Sequence, residues 1–148
     1  ADLDDDGDLD LIVGEMDGTL SFYFNTGTAT QHDFHAHTGV WDGSTTGTIA
    51  MARPSFFDVD ADGDLDLLIG SMGTAFEVYE NVGSSTLPIY NRMSSSSEFA
   101  TAVKALDSGF LDAAVGDFDE DGDLDIFIGD WHGRVYFIEH VRNQVCHV

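Results

Sequence analysis

Three nine-residue segments constrain this chain more than anything else in it. Residues 2–10 read DLDDDGDLD, residues 58–66 read DVDADGDLD and residues 117–125 read DFDEDGDLD. Their starts lie 56 and 59 residues apart, and a period of that size signals a repeat architecture in which each copy is one supersecondary unit. Each segment runs into an apolar stretch that ends on glycine: Leu11-Ile12-Val13-Gly14, Leu67-Leu68-Ile69-Gly70 and Ile126-Phe127-Ile128-Gly129. After a short gap a second run begins apolar, polar, apolar: Leu20-Ser21-Phe22, Phe76-Glu77-Val78 and Val135-Tyr136-Phe137. That alternation is strand periodicity. Asp17-Gly18 between the runs is a hairpin signal, with His132-Gly133 at the same place in the third copy, because glycine accepts positive φ cheaply.

Short runs at 55–57 and 113–115 are expected to feed the second and third segments as strands, and further strands are expected near 34–37 and 89–93. The Gly-, Ser- and Thr-rich stretches 38–47 and 94–97 read as loops, and 98–106 as a helical turn. The unit is therefore four short antiparallel strands, and such units arranged radially make an all-β propeller. The expected blades span about 1–40, about 53–97 and about 112–148. The first has no strand before its acidic segment, and the third is expected to end before its fourth strand. Closed propellers have typically 4–8 blades. Two and a half to three blades form an incomplete ring, to be completed by the remaining blades of a longer chain or by neighbouring subunits of an assembly.

The acidic segments have the chemistry of calcium loops. Carboxylates recur at positions 1, 3, 5 and 9 of each, with glycine at position 6 for a sharp turn that aims the position 7 carbonyl inward. The candidate ligands are Asp2, Asp4, Asp6, the carbonyl of Asp8, and Asp10 in the first loop. In the second they are Asp58, Asp60, Asp62, the carbonyl of Asp64, and Asp66. In the third they are Asp117, Asp119, Asp121, the carbonyl of Asp123, and Asp125. An all-oxygen, carboxylate-rich shell suits Ca2+ at three sites; magnesium keeps more water, and zinc takes His or Cys. A single such loop reads equally well as a solvated acidic turn, but three in register do not. An EF-hand needs a chelating Glu at position 12 and a helix after it. Val13, Ile69 and Ile128 occupy that position, which excludes EF-hand and dockerin-type loops alike.

Composition narrows the partners. The chain carries 28 acids against 5 bases, a net charge of −23. Nucleic acid is excluded because binding it needs clustered Lys and Arg. An anionic membrane surface fails for the same reason, and no apolar run approaches the roughly 18 residues of a membrane-inserted helix. Self-repulsion on this scale calls for counter-cations. Cys146 is the one cysteine, so no intrachain disulfide forms; it reads as a passive thiol. The chain starts at Ala1 rather than Met, leaving room for an upstream segment. His32, His35 and His37 lie on a short stretch where the last two share a strand face, which reads as a polar face with a transition-metal site as the alternative. Trp41-Asp42 and Trp131 read as packing or loop residues, and Arg53 and Arg134 as partners for loop carboxylates. No nucleophile elbow, phosphate loop or HExxH motif occurs, so no enzymatic activity is expected.

With Pro54-Ser55-Phe56-Phe57 before DVDADGDLD and LLIG after it, and Ala114-Val115-Gly116 before DFDEDGDLD and IFIG after it, the chain resembles the FG-GAP/VCBS repeats, the calcium-bearing blades of integrin α-subunit propellers. The resemblance implies a propeller of about seven blades with the loop aspartates as calcium ligands. It also implies an extracytoplasmic location and use in adhesion or assembly; a minority of the family occurs in lyases and phospholipases. No RGD motif is present, so integrin function does not carry over. The expected function is a non-enzymatic interaction or adhesion module for a protein or glycan partner, with structural calcium. The alternatives are a structural subunit or segment of a large assembly, or the non-catalytic part of a polysaccharide lyase or lipase.

Overall fold

The computed structural model describes residues 1–38, 50–60, 62–72, 76–93, 112–118, 125–141 and 144–147. They form β1 (Leu11–Gly14), β2 (Leu20–Asn25), β3 (Phe34–His37), β4 (Arg53–Phe57), β5 (Asp66–Gly70), β6 (Glu77–Asn81), β7 (Tyr90–Arg92), β8 (Asp112–Gly116), β9 (Asp125–Gly129), β10 (Val135–Val141) and β11 (Gln144–His147). The strands make three antiparallel sheets, β1-β2-β3, β4-β5-β6-β7 and β8-β9-β10-β11. Among the described residues there is no helix. These are propeller blades in an open array, with the acidic segments leading into β1, β5 and β9. Residues 39–47, 94–97 and 98–106, expected as loops and a helical turn, lie outside the described residues.

One expectation is corrected. The third blade does not stop short of its fourth strand, because β11 pairs with β10, Val141 opposite Gln144. Eight residues separate β2 from β3 and β6 from β7, but two separate β10 from β11. The shorter connection brings the last strand forward.

Register explains how the blades stack. Side chains alternate between the two faces of a strand. Leu67 pairs with Tyr79 and Leu68 with Val78, so successive residues of β5 serve opposite neighbours. Leu67, Ile69, Tyr79 and Tyr90 pack with Phe22 and Phe24 of the first blade, Ile12 lying against them. Leu68, Val78, Phe76 and Phe57 pack with Ile126, Ile128 and Ile138 of the third. Each buried side chain of this size contributes about 1.5–3 kcal/mol, so the two cores between blades hold the array together. At the inner strands Ser55 Oγ donates to the Ala113 carbonyl at 3.2 Å, and Arg53 pairs with Asp112 at 3.5 Å.

The glycine that ends β1 has a packing reason. A Cβ on Gly14 would lie 2.1 Å from the Ala52 carbonyl oxygen, whereas one on Gly129 meets nothing within 4 Å among the described residues. Gly14→Ala is therefore expected to cost about 1–3 kcal/mol by forcing the first blade off the second. Gly129→Ala should be near neutral; equal urea midpoints for the two variants would refute the close approach.

Candidate metal centre

The first two acidic loops are each folded first by their own carboxylates. Asp2 accepts the N–H groups of Asp6 and Gly7 at 3.2 and 3.0 Å, and Asp58 accepts those of Asp62 and Gly63 at 3.2 and 2.9 Å. Gly7 and Gly63 have φ of 91° and 96°, a conformation that L side chains rarely adopt. That curl brings positions 1, 3 and 9 together. Asp2, Asp4 and Asp10 each place a carboxylate oxygen within 4.8 Å of the others, as do Asp58, Asp60 and Asp66. Asp6 and Asp62 lie outside these trios, and their Oδ1 atoms accept the N–H of Asp8 and Asp64, both at 2.9 Å. In the third loop Asp117 and Asp125 are described, while Asp119, Asp121 and Asp123 lie outside the described residues.

The trios fit a hard cation. Asp4 Oδ1 is shielded from solvent and has no hydrogen-bond donor among the described residues, which leaves a buried acceptor that a positive ion would satisfy. The donors are all carboxylate oxygens, with no His or Cys in either trio, so the sites suit an oxygen-seeking metal and not zinc. Burial raises the Asp4 carboxyl above its ordinary range, with Asp10, Asp6 and Asp2 adding to it. Burial also raises Asp60, together with Asp62. Asp66 is pushed up to about 7, by burial first and then by Asp60 and Asp58, against the pull of the Asn81 and Val59 N–H groups.

These shifts set a pH dependence. Between the unfolded value near 3.8 and the folded value of about 7, the metal-free folded state holds a proton that the unfolded chain has released. Stability from this group is therefore present at low pH and lost as pH rises through 7. In a chelator, melting temperature is expected to rise as pH falls from neutrality toward 5. In excess metal the trend should reverse, because protons compete for the same oxygens. Parallel trends in the two conditions would show that the trio holds no metal.

Position 9 does more than the sequence reading assigned to it. Both oxygens of Asp10 and of Asp66 take buried backbone donors. Asp10 accepts from Leu3 at 2.6 Å and from Asn25 at 2.8 Å; Asp66 accepts from Val59 and Asn81, both at 2.7 Å. Asp125 accepts from Phe118 at 3.1 Å, repeating the first half of the pattern. The clamped asparagines hold the next connection: Asn25 Oδ1 accepts from Gly27 and Asp33, and Asn81 Oδ1 from Gly83 and Ile89. In the third copy His140 stands where the others have asparagine, and there the connection is shortened. Asn25-Thr26-Gly27 and Asn81-Val82-Gly83 at matching offsets were the available signal.

Position 2 was also missed. Leu3 and Val59 interrupt the acids, and both are buried: Leu3 in the core with Leu67 and Tyr79 of the second blade, Val59 in the core with Ile126 and Ile138 of the third. The first two loops thus plug into the following blade through the residue between the first two trio members. A cleft of about 180 Å³, lined by Asp2, Leu3 and Asp5 from the first loop and by Gly63, Leu65, Asn81 and Ser85, lies along the first of these junctions.

The remaining candidates fall outside the trios. His35 pairs with Asp33 at 3.2 Å and His37 stacks on Phe24 at 4.4 Å; among the described residues no metal-ready cluster includes a histidine. Arg134 pairs with Asp130 and Arg53 with Asp112, acids outside the loops that the sequence reading offered them. Trp131 is exposed and lines an open hollow with Arg53, Asp112 and Asp130. Trp41-Asp42 lies outside the described residues. Glu77 is a buried acid that the sequence reading passed over; it receives the Tyr79 hydroxyl at 2.6 Å and Arg92 at 3.0 Å.

The sequence model of the FG-GAP-like repeat matches residues 2–69 and again residues 58–128. The two matches take in both described trios. No curated protein and no solved structure matches the chain.

Proposed function

This chain belongs to the family of FG-GAP-like repeats, and on that premise we propose that it is a calcium-stabilised, non-enzymatic interaction module for a protein or glycan partner. The observation that carries the calcium reading is the recurrence of one carboxylate trio, at positions 1, 3 and 9, in two consecutive repeats. The orphaned Asp4 Oδ1 supports it. Asp2, Asp4 and Asp10 would hold one ion, and Asp58, Asp60 and Asp66 a second. The ions supply charge compensation and fix the loops that plug each blade into the next. Calcium modules outside the cell have Kd of about 10⁻⁴–10⁻³ M, so carboxylate-rich sites of this kind suit an extracytoplasmic setting.

Calorimetric titration of calcium tests the reading. Asp60→Ala is expected to abolish one site and leave the rest. Asp62→Ala should weaken that same site less, because its carboxylate lies outside the trio and braces Asp64 instead. Unchanged stoichiometry in Asp60→Ala, or magnesium binding as tightly as calcium, would sink the proposal.

A further inference from the structure

We propose that Met16, Met72 and Trp131 form a docking row for an extended, cationic peptide laid across the three blades. Each of these residues stands second after the glycine that ends its strand, Gly14, Gly70 or Gly129. In the first and third blades the same two backbone bonds close the turn that follows. Glu15 donates to Thr19 and accepts from Gly18, and Asp130 donates to Arg134 and accepts from Gly133, all at 2.9 to 3.1 Å. The acidic segments enter the other ends of β1, β5 and β9, so the row lies at the far end of these strands from the metal trios.

Turn positions favour small and polar residues, yet all three copies place a large apolar side chain here. Met16 is 79% exposed, Trp131 70% and Met72 46%. Met72 belongs to the middle blade, which packs against a blade on either side, so the opening is a property of the position and not of an end of the stack. The row is continuous. One peptide group, joining Ala50 to Met51, accepts the Met72 N–H at 2.9 Å and donates to the Met16 carbonyl at 3.0 Å. It bridges the backbones of the first two members, with Met51 held at a φ of 58°. Arg53 pairs with Gly70 across β4 and β5 and also lines the open hollow that holds Trp131, Asp112 and Asp130, so that hollow joins the second blade to the third member.

The side chains select the occupant. Thioethers adapt their shape to an apolar partner, and Met and Trp are enriched where proteins meet; a hydroxyl-rich glycan gains little from two methionines. Glu15 and Asp17, on either side of Met16, are exposed, as is Asp112 in the hollow. With a chain charge of −23, these acids draw a cationic partner. Packed sheets lie about 10 Å apart and an extended chain advances about 3.3 Å per residue, so successive row members meet about every third residue of a peptide. A segment with apolar side chains at that spacing and Lys or Arg between them matches both the geometry and the charge. The inference rests on the reading of this chain as an interaction module and deepens it by choosing a peptide over a glycan.

Selection of a random peptide library, about twelve residues long to span the row, on the calcium-loaded 148-residue chain tests it, with calcium calorimetry on the same protein. Enriched peptides should be cationic, with apolar residues about three apart, and should bind more weakly as ionic strength rises. Trp131→Ser, Met16→Ser and Met72→Ser should each weaken the enriched peptides by about tenfold or more, as loss of an interface anchor does. Met16→Leu should restore the affinity that Met16→Ser loses. Leu87→Ser removes an exposed apolar side chain outside the row and should change nothing. All these side chains are exposed, so the fold and the calcium stoichiometry should persist. No enrichment by a chain whose calcium sites are filled overturns the inference and leaves the calcium reading standing. Enriched peptides that are acidic, or that bind the three serine variants as tightly as the wild type, overturn it as well. So does binding that depends on Trp131 but is given only by oligosaccharides. Row-dependent peptide binding by a chain that takes up no calcium supports the inference and sinks the calcium reading alone.

Discussion

Removal of calcium is expected to lower the melting temperature by roughly 10–20 °C. A ligand that binds only the folded state stabilises it by RT ln(1 + [L]/Kd), about 2.7 kcal/mol per site at a hundredfold excess over Kd. The two trios together then contribute about 5 kcal/mol, against a net stability of roughly 5–15 kcal/mol for a typical domain. Occupancy of the third loop would add to this. The effect should be large here because seventeen of the 28 acids lie in the three loops, where the metal-free state confines like charges. Burial already raises Asp4 and Asp60 and pushes Asp66 up to about 7, so the apo loops resist full ionisation. The measurement is a melt with and without EDTA at fixed ionic strength, which holds general screening constant. Calcium should restore the transition and magnesium should restore it poorly. Superimposable melts would reduce the loops to acidic turns.

Asp66→Ala is expected to destabilise the protein by about 3–5 kcal/mol even in EDTA, a loss that metal binding cannot account for. Its two oxygens accept the N–H groups of Val59 and Asn81, each at 2.7 Å in a buried setting. An unpaired buried donor costs about 1–3 kcal/mol, and the asparagine so released also positions Gly83 and Ile89 through its side chain. Val59 would be freed from the core it shares with Ile126 and Ile138, loosening the junction with the third blade. Asp60→Ala is the contrast. It removes a trio member that burial and Asp62 hold in a raised state, so in EDTA it should be neutral or slightly stabilising, with its cost appearing only in calcium. Urea unfolding of both variants in both conditions separates the roles. If Asp66→Ala behaved like Asp60→Ala, destabilising only when calcium is present, position 9 would be a ligand and nothing more.

What the amino-acid order determined by itself is what depends on near neighbours. DxDxDG loops, the runs ending at Gly14, Gly70 and Gly129, and the Asp17-Gly18 turn are local patterns, and the strands follow them: β1, β5 and β9 start at or one residue after the end of each acidic segment. Hairpin chemistry and period-two alternation act over a few residues, so they can be read without knowing what lies across the sheet. The strand at 144–147 escaped because its connection was shortened to two residues, against eight in the other copies. The double duty of Asp10 and Asp66 escaped because the second donor, Asn25 or Asn81, lies fifteen residues away and arrives only when two strands pair. Leu3 and Val59 were visible as apolar residues inside acidic loops, but their purpose needs a following blade to receive them. The same holds for Leu11 and Leu67. Both lead a strand after an identical GDLD, yet one is exposed and the other fully buried, because burial is a property of the neighbouring blade and not of the strand that carries the side chain.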